Sequence, residues 1–122
     1  MYKEFLIAYI RNCNDFILNA NGPILYRSGE DVAKTLSEKS LDEIKDLMGF
    51  EYEISEGKIT FTVRDSIEAE SFEKSDKPIC FMLQGFFAEI SKNIFKLKKT
   101  RCKEIKCKAK GDKKCVFIVE AK

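Results

Sequence analysis

The chain has 122 residues, 44% apolar and 34% charged, with a formal net charge of +2 and neither histidine nor tryptophan. That length buries a core without staples, and the composition is that of an ordinary globular protein, so one domain spanning residues 1–122 is expected. No apolar run reaches the 18 residues of a membrane span, and MYKEFLIAYIRNCND lacks the basic start and cleavage site of a secretory signal, so a cytoplasmic setting is expected.

In chain order, Phe5, Leu6, Tyr9, Ile10, Cys13, Phe16 and Ile17 recur at helical spacing and predict a first amphipathic helix, which NANGP interrupts. Pro23 suits the opening turn of a second helix with the stripe Leu25, Gly29, Val32 and Leu36. A glycine inside such a stripe costs about 1 kcal/mol relative to alanine, and marks a place where something packs close to the backbone. Ser40 to Glu43, SLDE, is a capping box for a short helix running to about Met48 and stopping at Gly49.

In EYEISEGKITFTVRD, Tyr52 and Ile54, then Ile59, Phe61 and Val63, alternate with polar residues around Glu56-Gly57, predicting a hairpin with one apolar face. Residues 66 to 77 read as an acidic connection. KPICFMLQGFFAEISKNIF is the strongest helix, opened by Pro78. Ile79, Met82, Leu83, Phe86, Phe87, Ile90 and Ile94 share one side; Phe81, Gly85 and Ala88 form a second, so burial on two faces is expected, with Cys80 at the stripe's edge. TRCKEIKCKAK alternates Ile105, Cys107 and Ala109 with lysines, GDKK turns, and CVFIVEA makes a last strand. The order predicts an α+β domain, helices packed on a short antiparallel sheet.

From Lys96 to Lys114, nine lysines and Arg101 face only Glu104 and Asp112. Such a run can attract nucleic acid, but no recognition helix or stacking aromatics sit in it, and a solvated strand face is the plainer reading. Five cysteines, an odd number, suit a disulfide framework poorly, and a reducing cytoplasm keeps thiols reduced or metal-bound. A catalytic cysteine would have no histidine as its base. Zinc without histidine needs thiolates and carboxylates; Glu104, Cys107 and Cys115, with Cys80 from the long helix, are the candidate set. In a regular strand Glu104 and Cys107 point to opposite faces, so both can reach one ion only across a bulge or twist. Cys102, on the face of Glu104, is a possible substitute. The alternative is that Cys107 and Cys115 are small core residues.

GPILYRSGEDVAKTL, VRDSIEAESF, CFMLQGFFAEI and EIKCKAKGDKKCVFIV, in this order over about residues 20 to 120, resemble the 4-vinyl-reductase (hydrocarbon-binding) domain family, in particular its stand-alone archaeal members. The most specific parts are the E-x2-C-x7-C spacing and the upstream CFMLQGF. The resemblance implies a fold like that of small vesicle-tethering subunits and haem-nitric-oxide sensors, often paired as homodimers through the helical side. It implies a structural Zn²⁺ held by Cys80, Glu104, Cys107 and Cys115, leaving Cys13 and Cys102 without a role.

It also implies a small hydrophobic or aromatic ligand between the long helix and the sheet, with Leu25, Tyr26, Phe72, Met82, Phe86 and Phe87 as candidate lining residues that are equally candidates for plain core. Lacking histidine and tryptophan, this chain suits a purely apolar ligand better than a phenol. A closed four-ligand site leaves no position for activating water, and no nicotinamide or flavin fingerprint is present, so no enzyme is expected. The competing readings are an accessory factor in tetrapyrrole vinyl reduction and a basic, zinc-dependent nucleic-acid binder.

Overall fold

The computed structural model describes residues 3–9, 21–66, 69 and 80–121. Residues 3–9 form the helical segment α1. It is followed by α2 (Asn21–Thr35), α3 (Leu41–Met48), the strands β1 (Glu51–Ser55) and β2 (Lys58–Val63), α4 (Phe81–Ile94), and the strands β3 (Thr100–Lys106) and β4 (Cys115–Ala121). The described part is thus the expected α+β domain. Phe72, Cys13, Pro78 and most of the acidic connection lie outside the described residues.

Each boundary that positions the site has a local cause. At α3 the capping box is present: Glu43 N–H donates to Ser40 Oγ at 3.2 Å and Ser40 N–H to Glu43 Oε1 at 3.3 Å. Gly49 ends that helix with φ of 77°, a left-handed conformation that suits glycine. β1 and β2 join through the two-residue turn Glu56-Gly57 with Ile54 opposite Ile59. All strands are antiparallel, in the order β1-β2-β4-β3. α4 lies on β3 and β4, and α2 packs on α4, so α4 is buried on both sides, as its two apolar stripes predict.

The core between α4 and the sheet is aromatic. Phe87, fully buried, stacks on Phe61 with ring centroids 4.2 Å apart, and meets Phe50 at 5.2 Å, Phe117 at 5.1 Å and Phe86 at 5.6 Å. Removing this ring leaves a cavity that rigid neighbours cannot collapse into. Phe87→Ala is expected to destabilise the domain by roughly 3–5 kcal/mol, measured by urea denaturation; a loss below ~1 kcal/mol would mean the cluster repacks.

Three expectations need correction. The strand predicted to run through Ala109 ends at Lys106, and Lys108–Lys110 form a 3-10 turn. Ile105, expected on the apolar face with Cys107, is 40% exposed, while Cys102 and Glu104 face inward. Cys80 is not on the helix stripe: it is the N-cap of α4, with φ −81° and ψ 64°. The lysines of the basic run that lie on β3, Lys103 and Lys106, are exposed, as a solvated strand face requires.

Candidate metal centre

The irregularity in β3 is what assembles the site. Glu104 pairs with Phe117 and Lys106 with Val116, so Ile105 is the extra residue of a bulge. The bulge resets the alternation, turning Ile105 outward and bringing Cys107 to the side of Glu104. Cys115, the first residue of β4, faces the same side across the hairpin, and Cys80 descends onto it from the N-terminus of α4.

The donor atoms of Cys80, Glu104, Cys107 and Cys115 lie within 4.8 Å of one another, and all four residues are buried. Cys80 Sγ is 3.9 Å from Cys107 Sγ and 3.8 Å from Cys115 Sγ, far beyond the ~2.05 Å of a disulfide. Glu104 Oε1 accepts the Cys80 backbone N–H at 3.0 Å. Its other oxygen, Oε2, is buried without a hydrogen-bond partner among the described residues. An orphan carboxylate oxygen beside three thiols is what a cation site presents.

The surroundings hold the donors in place. Ser66 Oγ sits 3.3 Å from Cys80 Sγ, and the Lys108 N–H points at Cys115 Sγ at 3.4 Å. Cys107 N–H donates to Asp112 Oδ2 at 2.9 Å, while Lys110 N–H and Asp112 N–H return to the Cys107 carbonyl at 3.0 and 3.1 Å. The turn between the two hairpin cysteines is thereby fixed, which orients their thiols. The N-terminus of α4 adds its positive dipole end next to Cys80.

Without a cation these acids resist ionisation. Burial pushes the Glu104 carboxyl up to about 7. Cys115 is raised to about 12, first by its hydrogen bond with Cys107 and then by burial. Cys102, buried on the same strand face as Glu104, is raised too, by burial and then by the nearby carboxylate. It is not in the cluster, so the carboxylate rather than Cys102 is the donor that β3 supplies at this point.

The profile of the vinyl-4-reductase domain matches residues 59–121, just over half of the chain and a span that includes all four residues of the cluster. The chain belongs to the vinyl-4-reductase domain family. An uncharacterized protein of Methanocaldococcus jannaschii is 34% identical over 105 residues, covering 79% of this chain; the chain spans 64% of that relative's length. The crystal structure of a vinyl-4-reductase family protein from the same organism superposes with a TM-score of 0.67 at 25% identity, covering 80% of this chain and 68% of that one. The phenol-responsive sensory domain of the transcription activator PoxR, with phenol, shares the fold at a TM-score of 0.72 and 16% identity, over 99% of this chain and 75% of that one.

The residues proposed from sequence for a ligand wall of this vinyl-4-reductase domain are spread over both sides of α4. Phe86 and Phe87 are closed off in the ring cluster, Leu25 is buried, and Met82 and Tyr26 are half-buried. Tyr26 borders a polar cleft with Glu30, Glu89, Lys92 and Lys99. An apolar cleft opens instead under the C-terminal end of α4, formed by Ile54, Ile59, Phe95, Leu97 and Val119. Sequence reading missed it, because Ile54 and Phe95 look like ordinary core positions until the end of the sheet is seen to be half covered.

Proposed function

We propose that this vinyl-4-reductase domain is a non-catalytic binding module for a small hydrophobic or aromatic molecule, stabilised by a structural Zn²⁺ on Cys80, Glu104, Cys107 and Cys115. The observation that carries the metal half is the spacing of the donors. Zinc–sulfur bonds of ~2.3 Å at tetrahedral angles place sulfurs ~3.8 Å apart, and the two measured separations from Cys80 are 3.8 and 3.9 Å. Thiolates favour this soft cation, and Glu104 Oε2 supplies the fourth donor. Bound zinc would contribute charge neutralisation, so thiols held high without it would ionise.

Four protein ligands close the site, so its role is to tie the start of α4 to the β3–β4 hairpin. The ligand half is supported by the family and by the fold shared with a domain whose structure contains phenol. Exposed Phe5, Tyr9, Ile24 and Val32 on α1 and α2 support pairing of two copies through the helical side. No helix among the described residues is long and apolar enough to cross a membrane, and reduced thiols suit a cytoplasmic setting. Elemental analysis of the purified protein tests the metal directly: one zinc per chain is expected, and a folded protein free of metal after purification without chelators would sink the assignment.

The pH dependence separates the two states. Without metal, the raised Glu104 carboxyl stabilises the fold below its unfolded value of 4.5, and that contribution is lost as pH rises through about 7. With metal, protons compete for the donors, so stability rises with pH instead. Thermal melts from pH 5 to 8 should therefore slope downward with chelator and upward with zinc. Glu104→Gln should flatten the metal-free slope; an unchanged slope would remove Glu104 as its source.

A further inference from the structure

The apolar cleft under the end of α4 carries one polar group that nothing among the described residues uses. Ser91 is fully buried, and its Oγ has no hydrogen-bond partner among them. It borders a cleft of about 190 Å³ whose other walls are Ile54, Ile59, Phe95, Leu97, Val119 and Ala121. A serine in a helix ordinarily bonds the carbonyl one turn back or points out to solvent; this one does neither. A buried hydroxyl left unpaired is unfavourable, and a ligand oxygen placed against it would recover that loss. The remaining side-chain polar groups, on Ser55, Lys58 and Glu120, belong to exposed or half-buried residues around the opening.

From this geometry we infer that the cleft is a ligand site for a small apolar molecule, about one ring in size, that carries a single hydroxyl or carbonyl group directed at Ser91. The size follows from volume: an apolar cavity of ~150 Å³ takes up benzene. The class follows from the lining, since a charged group would be desolvated against isoleucine, valine and phenylalanine with one neutral partner. The site stands at the opposite end of α4 from Cys80, so it is separate from the metal cluster. This inference rests on the small-molecule reading of the domain and gives it a location.

The test uses the purified whole chain with two probes of equal size, benzyl alcohol and toluene, followed by amide and methyl chemical shifts. Both probes should shift Ile54, Val119 and Leu97. Ser91→Ala should weaken benzyl alcohol about five- to tenfold, the worth of one hydrogen bond, and leave toluene within about twofold. Because that variant deletes an unpaired hydroxyl, its melting temperature should equal or exceed that of the wild type, so misfolding does not confuse the result. A drop in melting temperature, or equal effects on both probes, overturns the role of Ser91. Shifts confined to the Leu25–Met82 side overturn the cleft and spare the small-molecule reading. Absence of binding by both probes at millimolar concentration overturns the cleft, whereas the zinc assignment stands or falls on metal content alone.

Discussion

Cys107→Ser is expected to unfold the domain at physiological temperature, with the metal lost in the same step. The residue is fully buried, its thiol lies 3.9 Å from that of Cys80, and its backbone carbonyl anchors the turn that leads to Cys115. Serine keeps the size and loses the soft donor, so cavity formation is a minor part of the change. What disappears is the cross-link between α4 and the hairpin, and loss of a structural metal belongs to the few single changes that exceed ~4 kcal/mol. Cys115→Ser should behave alike, whereas Cys102→Ser, a buried cysteine outside the cluster, should lose only the ~1–2 kcal/mol of a small core residue made polar. Denaturant melts with matched metal analysis distinguish the cases. Equal, small losses in all three variants, with metal content unchanged, would return these cysteines to the core.

The contrast between Cys107 and Cys102 shows how far the amino-acid pattern reaches and where it stops. Local features are legible because their causes are local. Ser40 and Glu43 announce a cap, Glu56-Gly57 announces a two-residue turn, and the two apolar stripes of α4 announce a helix covered on both sides. The conflict between the strand period and a shared ion for Glu104 and Cys107 is itself a signal that a bulge has to intervene. Which residue bulges is set by β4, through the pairing of Lys106 with Val116, and no pattern within β3 contains that information. The outward turn of Ile105 escapes the strand period for this reason. Likewise the N-cap position of Cys80 depends on where α4 starts, and helix starts are the least determined part of a periodic stretch. The orphan hydroxyl of Ser91 is invisible in the sequence, since a serine among helix residues gives no hint of its surroundings.

Gly85→Ala is expected to destabilise the protein by roughly 2 kcal/mol or more, although alanine is the better helix former by ~1 kcal/mol. A methyl group at Gly85 would overlap the backbone carbonyl of Tyr26 and come within 2.8 Å of its carbon; at Gly29 it would overlap the Met82 carbonyl and come within 2.8 Å of the Phe86 nitrogen. The two glycines thus let α2 and α4 touch backbone to backbone. The obstacle is main chain, so no rotamer change relieves it and a helix has to move, which loosens packing along the whole contact. That movement reaches further than the crossing. α4 holds Cys80 at one end and Ser91 near the other, so displacing it shifts a metal donor away from Glu104, Cys107 and Cys115 and reshapes the apolar cleft. Gly29→Ala presses from the α2 side and should give a loss of the same order. Zinc affinity measured by chelator competition should fall in both variants, although neither residue is near the metal. Variants as stable as the wild type would show that α2 can shift without disturbing α4, and would uncouple the helix crossing from both sites.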